Sequence, residues 1–331
     1  MDFFNEKLLK VAGPHFSPGG DNGRLTILMY HRVLPTHDPM TPDVTDAATF
    51  ERHMSAISKV FNVLRLDESI DQLYGGRLRP MSLAITFDDG HTDNLEIATP
   101  ILKKYGLHAT FFLSTGFMDG TLMYNDLVTE AVRRAPSGQL KLDWLGLKDA
   151  HISDAASRQA VIGAVVQTIK YFDSLKRAEV CNRLESIAAE PLPTNLMMNY
   201  DQIVRLHREG MGIGAHTKSH PILTRVTDEE ALNQMLQNKN DLTSITGTAP
   251  RLFAYPNGKP VVDFNARHIE MVRQAGFDAA LTTSFGAVTK AVDRFQIPRH
   301  CPWDKNENML IFRILRMARA GMKIHGESVK Y

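Results

Sequence analysis

Leu83-Ala84-Ile85-Thr86-Phe87-Asp88-Asp89-Gly90 sets five β-forming residues directly before two adjacent carboxylates and a glycine. Paired acids before a glycine ordinarily make a solvated turn. Here they close an apolar run of strand length, which puts them at the carboxyl end of a buried strand. In parallel α/β folds that end carries the chemistry. Downstream, Gly210-Met211-Gly212-Ile213-Gly214-Ala215 leads in the same way into His216-Thr217-Lys218-Ser219-His220. A His-x3-His pair is unremarkable in a chain with 13 histidines. Two strand ends that both carry ligand-type residues say more than either alone. Imidazoles four apart share one side of a turn, and a carboxylate from another strand completes a set that leaves coordination positions open. An open position lets a divalent ion activate water, so the pattern points to hydrolysis.

Outward from this core, the chain alternates strand and helix. Leu25 to Tyr30 reads as a first buried strand ending at His31, and a Pro- and Asp-rich loop follows over 35–45. A helical pattern with Phe50, Met54 and Ile57 on one face leads to a short strand at Phe61 to Leu64 and a helix ending near Gly75-Gly76. Beyond the Asp-Asp step come a helix from Asn94 to Tyr105 and a strand from Ala109 to Leu113. Residues 121–198 interrupt the rhythm as a helical insertion. The alternation then resumes with helices at Asn199 to Glu209, Asp228 to Thr246 and Asn265 to Ala275, and strands at Leu252 to Tyr255 and Phe277 to Thr283. About seven βα pairs predict one domain over 1–331, a barrel-like α/β fold with its core over about 25–300. Its last segment, 305–331, is basic and amphipathic. That segment reads either as a closing helix or as a helix lying on a membrane or partner.

Composition narrows the function classes. With 38 basic and 37 acidic side chains the net charge is +1, so no overall field recruits nucleic acid. Cys181 and Cys301 stand far apart without Cys-x2-Cys spacing, which argues for free thiols. The first ten residues lack the layout of a secretion signal, and no apolar run reaches spanning length. The expected location is therefore cytoplasmic, with peripheral contact at the inner membrane open.

Three segments carry a resemblance in order along the chain: Thr86 to Gly90, His216 to His220, and Arg251-Leu252-Phe253-Ala254-Tyr255-Pro256-Asn257-Gly258. They resemble the first three motifs of the polysaccharide deacetylases, carbohydrate esterase family four. Met29-Tyr30-His31-Arg32-Val33 looks like the bacterial exopolysaccharide branch of that family. The resemblance implies a distorted (β/α)7-type barrel. It also implies that Asp89, His216 and His220 hold a divalent metal, most often zinc, while Asp88 serves as general base. Cobalt, nickel, manganese and iron also suit one carboxylate and two imidazoles.

Asp88 must stay ionised and off the metal, which a guanidinium would favour, and Arg251 is the expected partner. A backbone N–H from the Tyr255 region is the expected oxyanion donor. The family's last motif presents a histidine as general acid. Its nearest match, Phe295-Gln296-Ile297-Pro298-Arg299-His300, points to His300, with His31 as the other candidate. Arg299 is expected to bind substrate or a carboxylate, and His31 to contact substrate. For the family's fourth motif, Asp278 and Asp293 both remain open.

The activity so implied is metal-dependent removal of N-acetyl groups from sugars of a bacterial surface polysaccharide or its lipid-linked precursor. Partners would be the glycan and, peripherally, the inner membrane or a biosynthetic complex. A small-molecule amidase on the same fold and a non-catalytic glycan-binding protein are the alternatives. A non-haem iron oxygenase shares the ligand set, but the extra carboxylate suits hydrolysis better.

Overall fold

The computed structural model describes residues 12–320. Seven parallel strands make the central sheet: β1 (Thr26–Tyr30), β2 (Asn62–Val63), β3 (Ser82–Phe87), β4 (Ala109–Leu113), β5 (Gly212–Ala215), β6 (Leu252–Ala254) and β7 (Ala279–Leu281). Their order is β1-β3-β4-β5-β6-β7, and β2 pairs with the first residues of β3. Every residue of β1, β3 and β4 is buried, as expected where both faces of a parallel sheet are covered.

The sheet curls until its edges meet. Residues 297–300 run between β7 and β1 and bond to both. The Ile297 N–H donates to the Ala280 carbonyl at 2.9 Å, and the Thr282 N–H donates to the Ile297 carbonyl at 2.8 Å. On the other side the His300 N–H donates to Ile27 and the Met29 N–H to His300, both at 2.8 Å. The fold is thus a distorted parallel barrel, as expected, closed by a seam that the sequence pattern did not announce. Pro298, which has no N–H to give a ladder, conceals it.

Register explains what faces where. Tyr30, Phe87 and Phe111 are aligned across β1, β3 and β4, and their rings stack at 5.5 and 4.8 Å between centroids. This layer packs against Phe50 of α1 (Ala47–Val60). Side chains alternate along a strand, so Thr86 and Asp88 must lie on the face opposite Phe87. The glycine-rich β5 follows from close packing. A Cβ at Gly214 would sit 2.4 Å from the Phe112 ring, closer than real atoms approach.

The surrounding helices are α2 (Leu66–Tyr74), α3 (Thr99–Lys104), α4 (Tyr124–Arg134), α5 (Ala155–Ile169), α6 (Ser174–Glu185), α7 (Tyr200–Arg208), α8 (Asp228–Thr246), α9 (Ala266–Gln274) and α10 (Glu307–Ala320). A π-helical turn, Asn94–Ala98, precedes α3. Side chains cap two of these helices: the Thr227 hydroxyl accepts from the Glu230 N–H, and Asn199 and Gln202 form a capping box at α7.

Helices α4 to α6 form the insertion around their own core of Val128, Val132, Val161, Val165 and Leu184. The insertion also holds an antiparallel pair, Gly138–Leu140 with Ala150–Ile152, which the helical expectation missed. Strands of three residues are too short to show an alternation. Helix α10 buries Leu310, Ile311, Ile314 and Leu315 and packs on α1, so its apolar face is a closing face. Among the described residues no helix is long and apolar enough to cross a membrane. The amino-terminal stretch read for a secretion signal, and the part of 305–331 beyond Ala320, lie outside the described residues.

Candidate metal centre and its neighbours

At the carboxyl ends of β3 and β5 the chain turns sharply. Asp89, Thr217 and His220 adopt left-handed backbone angles, φ 76, 64 and 52°, which side chains other than glycine rarely take. Such strain persists where the surroundings enforce it. The Ser114 N–H holds the Asp89 carbonyl, and the Ser114 hydroxyl donates to the His216 carbonyl at 2.9 Å. From α8, the Asn238 Oδ1 accepts the His216 N–H and the Gln234 Oε1 accepts the Ser219 N–H, at 2.9 and 2.8 Å. Neither positioning residue was singled out in the sequence. Their signal was there: polar side chains four apart on the buried side of α8.

These turns bring Asp89, His216 and His220 together. Asp89 Oδ1 lies 3.5 Å from Nε2 of each imidazole, and one ligand atom from each residue falls within 4.8 Å of the others. Tetrahedral coordination at about 2.1 Å places ligand atoms about 3.4 Å apart, so the spacing fits a zinc-sized ion. Asp89 Oδ1 is buried and has no hydrogen-bond partner, which fits an atom that would ligate a cation. The His216 Nδ1 hydrogen bonds to the Ala254 carbonyl at 2.7 Å, which leaves Nε2 as the ligand atom.

Burial opposes the charge on Asp89, yet the adjacent His216 imidazole, with His220 and His31, holds its carboxyl well below the usual carboxylate range. Burial presses His220 down to about 4, so it offers a neutral imidazole at neutral pH.

Asp88 lies beside this triad with a different partner. Arg299, fully buried, holds it with a two-pronged contact, Nη1 to Oδ1 and Nη2 to Oδ2, both 2.7 Å. The Arg299 Nε donates to the Thr282 carbonyl at 3.0 Å. Burial pushes the Asp88 carboxyl up, but the Arg299 guanidinium outweighs it and keeps the group below its ordinary value.

Three expectations are corrected here. Arg251 does not reach Asp88. It precedes β6, at the amino end of the sheet, and pairs on the surface with Asp278 at 2.5 Å and Asp71 at 2.9 Å. That places Asp278 in a surface ion pair, and Asp293 likewise pairs with Arg273. The Tyr255 N–H is not a free donor, since it bonds to the Leu281 carbonyl, while its hydroxyl donates to Phe295 and its ring stacks on Phe264.

His300 points away from the site. One position along from Arg299, its ring is buried between Phe285 and Trp303, each 5.2 Å away, and burial presses it down to about 4. Arg299, expected at the substrate or at a carboxylate, holds the carboxylate of Asp88.

His31 remains beside the centre. It follows β1, it is exposed, and its charge acts on Asp88, Asp89 and His220. With Asp89 it lines a cavity of about 380 Å³ whose far wall is α4, through Asn125, Asp126 and Glu130. Here His91, next after Gly90, bonds to Asp126 at 3.0 Å, and Arg32 bonds to Asp93 at 2.8 Å. The insertion therefore forms part of the site, a role that its sequence did not show.

A closed parallel barrel thus carries two imidazoles and a carboxylate on its carboxyl-end loops, with a second carboxylate held beside them, an arrangement suited to hydrolysis. The chain belongs to the polysaccharide deacetylase family: the family's sequence profile, described as Polysaccharide deacetylase, matches residues 75–137 and 188–280. The break between the two stretches falls on the insertion.

Among curated proteins, the chain is 37% identical over 93 residues to YxkH of Bacillus subtilis, whose name places it provisionally in the same family. That match covers 27% of this chain and 32% of the relative. It is 37% identical over 57 residues to the peptidoglycan-N-acetylglucosamine deacetylase of Bacillus cereus, covering 17% of this chain and 21% of that protein. The chain thus spans about a third or less of these curated relatives. Among solved structures, the deacetylase PplD of Streptococcus pyogenes, in complex with acetate, superposes with a TM-score of 0.60 at 17% identity, covering 90% of this chain and 99% of that one. IcaB from Ammonifex degensii gives 0.56 at 18%, covering 91% and 98%. At these identities the likeness concerns the fold.

Proposed function

We propose that this protein is a metal-dependent N-deacetylase that releases acetate from N-acetylated sugars of a bacterial surface polysaccharide or its lipid-linked precursor. The observation that carries the reading is the division between two adjacent carboxylates, Asp89 turned to the imidazole pair and Asp88 locked to Arg299. Asp89, His216 and His220 would hold the ion, with zinc the best fit to the donor set. When bound, a divalent ion lowers the pKa of water to roughly 7 and polarises the acetyl carbonyl.

The chain's own residues supply the proton transfers. Asp88, kept ionised by Arg299, takes a proton from the attacking water. The exposed His31 donates one to the nitrogen as the C–N bond breaks, giving acetate and a free amine. The cavity against α4 would seat the sugar next to the reacting amide. The exopolysaccharide substrate follows the resemblance of the Met29 to Val33 segment to the exopolysaccharide branch of the family. Contact with a lipid surface belongs to the same reading, because a lipid-linked precursor is presented there.

Purified protein loaded with zinc or cobalt is expected to release acetate from N-acetylglucosamine oligomers, and a chelator should abolish release until metal is restored. Metal-loaded protein that leaves every N-acetylated glycan intact overturns the proposal. The acid is tested separately by His31→Gln. Loss of a general acid should lower kcat on amides by about 10²–10⁴. An aryl acetate, whose leaving group needs no proton, should be hydrolysed nearly as before. Equal losses on both substrates would remove His31 from the acid role.

A further inference from the structure

Nine large apolar side chains are exposed among the described residues, and four of them fall between residues 285 and 312: Phe285, Trp303, Met309 and Phe312. They are joined in space. Phe285 and Trp303 flank the same buried imidazole, that of His300, and the Arg313 guanidinium lies 4.4 Å over the Trp303 ring. Met309 and Phe312 stand one turn apart on α10, on the side away from the buried Leu310, Ile311, Ile314 and Leu315. Burial of the inner face therefore leaves a second apolar strip facing out.

Cations surround it. Lys305, Arg316 and Arg319 are exposed, and the exposed Arg52 reaches the Lys305 carbonyl. None of these four lies within ion-pair distance of a carboxylate among the described residues, whereas the nearby Asp304 is already taken by Arg313 at 2.9 Å. Aromatic and thioether side chains ringed by unpaired lysine and arginine suit one environment above others. It is the headgroup region of an anionic bilayer, where the rings enter the interface and the cations meet lipid phosphates. A second copy of this chain fits poorly, because an isologous contact would set Arg316 and Arg319 against like charge.

We propose that the outer face of α10 together with Trp303 and Phe285 docks on an anionic lipid surface. The patch adjoins the cavity mouth: Cys301 and Pro302 line the cavity that holds Asp89 and His31, and Trp303 is the next residue. A glycan carried on a membrane lipid would meet the cavity from that side. That last point rests on the deacetylase reading; docking itself does not.

The full chain, loaded with metal, is mixed with vesicles of phosphatidylcholine alone or with added phosphatidylglycerol, and bound protein is measured by sedimentation. Binding is expected only with phosphatidylglycerol and should fade with salt. Two double variants at exposed positions, Met309→Ser with Phe312→Ser and Arg316→Glu with Arg319→Glu, should each weaken it by about tenfold or more. Acetate release from a soluble oligosaccharide should be unchanged in both, which also shows that they fold. No binding to the anionic vesicles, or binding that both variants retain, overturns the proposal. So does a dimer in solution that the Met309 and Phe312 changes dissolve, because the patch is then an interface between copies. Vesicle binding needs no turnover, so failure to dock leaves the deacetylase reading standing, and failure to release acetate leaves the docking surface standing.

Discussion

Asp88→Asn is expected to reduce acetate release by about 10²–10⁴ while the protein keeps its full complement of metal. Asparagine keeps the size and one acceptor oxygen, so the two-pronged contact with Arg299 weakens without opening a cavity. What it loses is the ability to accept a proton. Asp89 and both imidazoles are untouched, and their positions are set by Ser114, Asn238 and Gln234 rather than by Asp88. His216→Ala provides the contrast. It removes one of three ligand atoms, and metal content and acetate release should vanish together. Metal analysis and an acetate assay on the two variants separate base from ligand. If Asp88→Asn also loses its metal, Asp88 is a ligand and the division between the two carboxylates is wrong.

Arg299→Met should cost more in stability than any surface change, about 3–5 kcal/mol, the usual penalty for removing one partner of a buried pair. The methionine stem fills much of the space but leaves Asp88 buried without a counter-charge, and it strips the Thr282 carbonyl of a donor. The deficit should depend on pH. In the unaltered protein Arg299 depresses the Asp88 carboxyl, so that group adds stability above its unfolded value, about 3.9, and loses it as pH falls through the lower folded value. In Arg299→Met, burial loses its largest opposing charge and the folded value rises. The ionised group then destabilises the fold as pH rises through it. The gap between the two proteins should therefore be widest at neutral pH and narrow on acidification, as denaturant unfolding at several pH values would show. A gap that stays constant with pH would mean that the Arg299 contribution is packing and not charge.

The strands and the cluster of Asp89, His216 and His220 were legible in the sequence because each reports a local constraint. A five-residue apolar run before Asp88-Asp89-Gly90 and a glycine-rich run before His216 can each be read within a dozen residues. What failed was everything that depends on which end or face a residue occupies. Arg251 precedes β6 and Asp88 follows β3. In parallel strands those are opposite ends, so the direction of the chain already argued against the pair. Between Arg299 and His300 the choice is a single step along an extended segment, and one step exchanges the two faces. The closing seam stayed hidden because Pro298 interrupts its pattern. The role of α4 stayed hidden because Asp126 acts on a residue 35 positions away.

The segment that joins the two edges of the barrel also carries the counter-ion of Asp88. Arg299 lies 211 positions from its partner, between Ile297, bonded to β7, and His300, bonded to β1. The proton affinity of Asp88 is thus written into the last stitch of the fold. Until that stitch is made, Asp88 lacks the guanidinium that offsets its burial, so the carboxylate gains its counter-charge only as the barrel closes.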